Sequence, residues 1–228
     1  MNILDFLFPV RCVGCGKLGR YFCQKCVLSI EYKERQICPV CEYPAIDGMT
    51  HPRCQTKYSL DGLTSFFYYD RIIRKAIKAM KYRFVSDLAK EFIGLVPLSS
   101  LQLTMEQFNN EAILIPLPLH PSRLRFRGFN QAEVLGRLLA KRLNIPLKTN
   151  ILKRIRKTTA QVEMKDREKR LKNMKNVFSV DQLTINNYQS SILLFDDVFT
   201  TGATMRAATY VLKRAGIKKV WGVTLAHG

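Results

Sequence analysis

The chain has 228 residues, 47% apolar and 24% charged, with a formal net charge of +19. That length suffices for one full core and a small additional module, and the composition is that of a globular protein. No apolar run approaches the ~18 residues of a membrane-spanning helix, so no membrane span is expected.

In chain order, the first segment, Met1 to Pro9, is apolar but has no basic start, is interrupted by Asp5 and ends at Pro9. A secretory signal needs a longer apolar stretch. The segment predicts a short amphipathic helix packed on the body, and the protein is expected to be cytoplasmic.

The charge is uneven. Residues 1–60 carry a net +3 and residues 61–228 a net +16, with 17 Lys/Arg against 4 Asp/Glu between residues 120 and 175. A field of that sign attracts polyanions, either nucleic acid or a phosphate-rich small molecule.

All 7 cysteines lie before residue 55, as Cys12-x-x-Cys15, Cys23-x-x-Cys26, Cys38-x-x-Cys41 and the last in His51-x-x-Cys54. A C-x-x-C turn aims two thiolates at one tetrahedral ion, so these ligands point to structural Zn2+. The odd count and expected compartment disfavour disulfides. Three such pairs without a surrounding βαβ pattern disfavour a thioredoxin-like redox pair. The spacing permits Cys12/Cys15/Cys23/Cys26 with Cys38/Cys41/His51/Cys54, as in a double zinc ribbon, or an interleaved cross-brace. Large apolar residues are few here, so metal is expected to supply the folding energy. Residues 1–60 are accordingly read as a zinc-binding module and residues 61–228 as a second domain.

From Asp61 the pattern alternates between strand-like and helix-like segments. Leu63 to Tyr69 is aromatic and β-prone. Ile72 to Tyr82 reads as a basic amphipathic helix, and a second helix runs from Ser86 or Asp87 towards Val96. Ala112 to Pro116 is a short buried strand and Asn130 to Leu143 a helix. Ser191 to Phe195 is a buried strand, Thr204 to Ala215 a helix ended by Gly216, and Lys219 to Leu225 a last strand. Such alternation predicts an α/β fold with an open, mainly parallel sheet, which binds ligands at the carboxyl ends of its strands.

One strand end is distinctive: Phe195-Asp-Asp-Val-Phe-Thr-Thr-Gly-Ala-Thr204. Two carboxylates leave a buried strand and small residues lead into a helix. Such a turn presents backbone N–H groups, hydroxyls and a positive helix end to a phosphate. Adjacent acids suit sugar hydroxyls, directly or through a hard cation.

This decapeptide resembles the 5-phosphoribosyl-1-pyrophosphate (PRPP) signature of type I phosphoribosyltransferases. The resemblance implies that fold, Asp196 and Asp197 at the ribose hydroxyls, and Thr200, Thr201, Gly202, Ala203 and Thr204 around the 5-phosphate, with Mg2+ accompanying PRPP. The whole chain resembles the ComF family, an amino-terminal cysteine module joined to such a domain. Further matches are Ala79 to Tyr82, Pro116 to Gln131, and Thr158/Gln161/Arg167/Arg170/Asn173/Phe178. One departure is His51, where cysteine is the commoner occupant.

The resemblance implies a pyrophosphate loop after the strand at 112–116, with Lys81, Leu119, His120 and Arg123 contributing to PRPP binding. It also implies a closing loop over residues 158–175 whose Arg167 and Arg170 act with Asp196 and Asp197 in catalysis. Arg123, Arg125 and Arg127, read as an extended segment, share one face. Arg125, Arg127 and Phe129, with Phe126, are nucleic-acid candidates, since bases stack on aromatic rings among arginines. The family reading implies handling of single-stranded DNA alongside other competence proteins such as a helicase. A transferase with an unidentified acceptor and a PRPP-responsive regulator are the alternatives.

Overall fold

The computed structural model describes residues 9–82, 86–108, 112–157, 176–181 and 191–228, with only the backbone of residues 81 and 82. The expected amino-terminal helix and the loop carrying Arg167 and Arg170 therefore lie outside the described residues, as does the side chain of Lys81.

The body is a parallel sheet between helical layers. Strands β1 (Gly62–Tyr68), β2 (Ala112–Pro116), β5 (Ser191–Phe199) and β6 (Val220–His227) stand in the order β1-β6-β5-β2 with every pairing parallel. A two-stranded antiparallel hairpin, β3 (Leu152–Arg154) with β4 (Phe178–Val180), lies apart from this sheet. The open, mainly parallel α/β sheet expected from the alternating pattern is present.

Helices α2 (Arg71–Tyr82), α3 (Ser86–Gly94) and α6 (Gln131–Leu143) share one core with Leu114, Leu193, Phe195 and Val223, while α7 (Ala203–Arg214) and the hairpin share another with Ile113, Ile115 and Leu194. Local chemistry sets the helix ends. Asp70 Oδ1 accepts from Ile73 N at 2.7 Å ahead of α2. Asn130 Oδ1 accepts from Ala132 N at 3.2 Å, and Asn144 closes α6 at φ 53°. Asn tolerates that left-handed conformation, which frees its N–H for the last carbonyls.

Three expectations change. A helix α4 (Leu98–Glu106) follows Pro97, where no element was expected; it buries only Leu101, Thr104 and Met105, too thin a stripe to show in the pattern. β5 runs on to Phe199, so Asp196 and Asp197 lie inside the strand rather than after it. The segment around Arg123 is not extended but helix α5 (Pro121–Arg127), with Pro121 in its first turn and Gly128 closing it at φ 81°. Proline preset to helical φ and glycine in the left-handed region bracket a helix too short to show periodicity.

The cysteine-rich segment, including the short helix α1 (Gln24–Val27), is seated on this body. Its Phe22 ring lies 5.6 Å from Phe92, which in turn lies 5.7 Å from Phe67 of β1. Glu91 accepts from the backbone N–H of Phe22 at 3.1 Å and of Tyr21 at 3.4 Å. Beyond it, Lys33 N donates to Phe66 O at 2.9 Å and Tyr68 N to Glu31 O at 3.1 Å, adding an antiparallel edge to β1. The few apolar residues of the module thus enter the body's cores: Phe22 and Ile30 one, Ile37 the other. Metal is not the module's sole source of folding energy. Phe92 joins the two parts, and Phe92→Ala is expected to cost about 3–5 kcal/mol, measured by urea unfolding.

Candidate functional site

The sulfur atoms of Cys12, Cys15, Cys23 and Cys26 lie within 4.8 Å of one another, as do the donor atoms of Cys38, Cys41, His51 and Cys54. Of the two arrangements left open by spacing, the backbone produces the sequential one. A four-sulfur set and a three-sulfur, one-imidazole set match closed tetrahedral zinc sites. His51 presents Nδ1 3.3 Å from Cys41 Sγ, and its Nε2 lies 3.1 Å from the carbonyl of Pro44, a contact that orients the ring.

The thiols are poised unequally. Burial works to raise Cys12, but backbone N–H groups of Cys23, Cys15 and Gly14 outweigh it and hold the thiol at about 6. Burial pushes Cys26 up to about 12. In the second cluster Cys38 is lowered, since N–H groups of Cys41, His51 and Val40 outweigh burial, while burial and the neighbouring Cys41 and Cys38 push Cys54 up to about 11. Each cluster yields one proton readily and resists another, so a dication is the natural compensation.

The second site is a cleft of about 150 Å³ at the carboxyl end of the sheet. β2 pairs with β5 only as far as Pro116 opposite Phe195, so Asp196 and Asp197 project past the end of β2. They face Leu117 to Leu119 of the following loop, together with Arg123, Arg127, Arg154 and Thr204. Asp196 Oδ1 accepts from Asp197 N at 2.8 Å, which fixes that carboxylate against its own strand.

The helical form of α5 decides which arginines reach the cleft. Arg123 and Arg127, four residues apart, share a helix face and both line it, whereas Arg125 does not. Leu119 lines the cleft. His120 does not: its Nδ1 accepts from Ser122 N at 3.2 Å and caps α5. Phe126 is 94% exposed, while Phe129 is half-buried.

Arg154 was not anticipated. It stands on β3 with its guanidinium 5.6 Å from the Phe178 ring, and is lowered by burial and by Arg123 while Asp196 raises it. Its strand is only three residues long, too short for a pattern in the sequence to single it out. Gln131 also lines the cleft; its Oε1 is buried without a hydrogen-bond partner among the described residues.

Behind the cleft, Thr200 to Gly202 turn into α7. Gly202 has φ 65°, and a Cβ there would meet Phe199 Cζ at 2.5 Å, so glycine is required twice over. Thr200 is exposed, Ala203 is buried, and the buried Thr201 hydroxyl lacks a partner among the described residues. Arg206 of α7 donates to the Thr201 carbonyl and to Val40 O at 3.4 Å, and lies 3.8 Å from Glu42. It therefore ties this turn to the second cysteine cluster.

Comparison with known proteins bears on the cysteine clusters and on the chain as a whole. Residues 3–55 match the double zinc ribbon domain. The chain is 36% identical over 115 residues to competence protein F of Haemophilus influenzae, a match spanning 50% of each chain. It is 26% identical over 211 residues to competence protein ComFC of Bacillus subtilis, covering 85% of this chain and 78% of that protein. The DNA utilization protein YhgH of Salmonella typhimurium is 26% identical over 209 residues, covering 87% and 86% respectively. Together these matches support a place for the chain in the ComF family. The chain carries the zinc-binding module, and among the described residues no helix is long and apolar enough to cross a membrane.

Two predictions follow from this geometry. Cys26→Ser is expected to lower the zinc content from two ions per chain, one per cluster, to one, measured by metal analysis of the purified protein. The second concerns His227, whose ring lies 5.8 Å from Phe199 and which burial and the charge of Lys33 push down from 6.5 to about 4. A depressed folded value favours the neutral ring, so this stability is present above about 6.5 and lost as pH falls towards 4. His227→Gln is expected to flatten that part of the stability–pH profile, read by denaturant melts.

Proposed function

We propose that the cleft binds PRPP and that this ComF-family protein acts in competence-linked DNA uptake or single-stranded DNA processing. The observation that carries the reading is the opposition of Asp196 and Asp197 to Arg123, Arg127 and Arg154 across one cleft, with the Gly202 turn behind it. Carboxylates on one wall suit ribose hydroxyls, guanidinium groups on the other suit a pyrophosphate, and the amino end of α7 suits a 5-phosphate. The unpartnered Thr201 hydroxyl supports the last assignment, since a phosphate oxygen would satisfy it.

Asp196 and Asp197 are oxygen donors of the kind Mg2+ prefers, and they would hold that ion with the sugar. Bound there, it would neutralise charge on a departing pyrophosphate. The chain's own contribution is positional. Arg123 and Arg127 are presented together on one face of α5, and Arg154 approaches from the hairpin. Arg154 is held partly out of water, where a cation interacts more strongly with an anion. Phosphoribosyl transfer to an acceptor is the enzymatic form of this reading, with Arg167 and Arg170 closing the site from the 158–175 segment.

The competence and DNA-utilization names of the relatives support the DNA role. So does α5, on which Phe126 and Arg125 are both exposed and neither lines the cleft. A base stacked on Phe126 would leave its backbone near Arg125. Residues 1–60 would serve as the structural zinc module and residues 61–228 as the PRPP-binding domain.

Calorimetric titration of the zinc-loaded protein with PRPP and Mg2+ tests the site. Saturable binding is expected, lost in Asp196→Asn/Asp197→Asn; no binding by the intact protein would remove the PRPP reading. For the DNA role, affinity for an oligodeoxythymidine strand is expected to fall log-linearly with salt and to weaken in Phe126→Ala by about 1–3 kcal/mol.

A further inference from the structure

A second cavity, larger than the acidic cleft, is bordered by the described residues. It measures about 500 Å³ and lies between residues 33–47 of the cysteine-rich segment and helix α4, over Thr64 of β1 and Trp221 of β6. That volume falls in the ~300–1,000 Å³ range of small-molecule sites. The two sites have no wall residue in common.

The polar groups of the cavity floor are already satisfied. Thr64 Oγ1 accepts from Trp221 Nε1 at 2.9 Å and lies 3.3 Å from Thr104 Oγ1, which donates to Ser100 O at 2.7 Å. The Gln36 amide donates to Lys33 O at 2.8 Å and Ser65 O at 3.0 Å and accepts from Ser65 N at 2.9 Å. These groups ask nothing of an occupant. Between them the wall is apolar, from Leu103 of α4 and Ile46 of the module, both exposed despite their size.

Lys33 is different. It lines the cavity and is only 7% exposed, yet among the described residues no carboxylate pairs with it. Among the described residues its Nζ lies over the Tyr68 ring, 4.4 Å from the centroid. Burial lowers the pKa of this ammonium, the sign of a charge lacking compensation. Glu34, Arg35 and Asp47 also border the cavity but are exposed, and water screens them. An occupant with an apolar body and one anionic group would complete this wall, since a partly buried cation gains most from a direct anionic partner.

We propose that this cavity is a binding site for a small aromatic carboxylate, with the carboxylate on Lys33 and the ring between Leu103 and Trp221. The site joins the zinc module to the α/β body, so its occupant would also hold the two parts together. The proposal stands whether or not PRPP binds.

Trp221 is the chain's single tryptophan, so its emission reports the cavity directly. The zinc-loaded protein is titrated with 2-naphthoate by calorimetry and Trp221 emission, and with the neutral 2-naphthamide. One saturable naphthoate site per chain is expected, with naphthamide and Lys33→Met each weakening binding roughly tenfold or more, the loss of one charge-assisted contact. Ser100→Phe, at a half-buried wall position, fills the cavity and is expected to abolish binding without touching Lys33. Zinc content and thermal melts confirm that each variant is folded. If Lys33→Met does not fold, Ser100→Phe decides. No saturable naphthoate binding, equal binding of the amide, or unchanged affinity in a folded Lys33→Met or Ser100→Phe protein would overturn the proposal.

Discussion

The cleft exists because β5 is longer than its neighbour. β2 ends at Pro116 opposite Phe195, while β5 continues beside β6 to Phe199. A parallel ladder satisfies the backbone of Asp196 to Phe199 on one side only, and the side facing the missing strand becomes the place where side chains and a ligand can meet. The carboxylates sit where backbone pairing holds them, which is a firmer support than a loop, and the loop after β2 with α5 folds across the gap. Strand ends in open α/β sheets bind ligands for this reason.

The zinc module is tied to that arrangement through two helices of the body. Glu91 and Phe92 receive the first cysteine cluster through backbone N–H groups and a ring contact. Arg206 links the second cluster, through Val40 and Glu42, to the turn before α7. Between these anchors, residues 31–33 add an antiparallel edge to β1 and carry Lys33 to the ends of the strands. The module thus caps an exposed sheet edge, which would otherwise offer free backbone groups to another chain.

Electrostatics divides the molecule in two. In the cleft, anionic and cationic walls face each other within one crevice, so each lowers the cost of burying the other. At the β1 edge, Lys33 and His227 have no such compensation among the described residues: burial lowers both, and Lys33 further depresses His227. The row Tyr68, His227 and Phe199 runs across the ends of β1, β6 and β5 to the Gly202 turn.

Much was legible in the residues because it depends on local chemistry. The cysteine pairs declare metal ligands through their spacing, the alternation of strands and helices declares an α/β sheet, and Asp196 to Thr204 declares a strand-to-helix turn suited to phosphate. What the sequence did not determine depends on contacts far apart in the chain. Sequential sharing of the eight metal donors is decided by how the knuckles fold together, since spacing permits either arrangement. α5 is too short for periodicity to distinguish it from an extended segment, so only its caps and seating decide that Arg123 and Arg127, and not Arg125, reach the cleft. Arg154 enters from a hairpin with three residues in each strand, too short to carry a pattern. The cavity beneath α4 is made of residues from the module, β1, α4 and β6. Residue types and spacing carry the chemistry each segment can perform; which groups face one another across a gap is set by packing between segments, and only the tertiary structure holds that information.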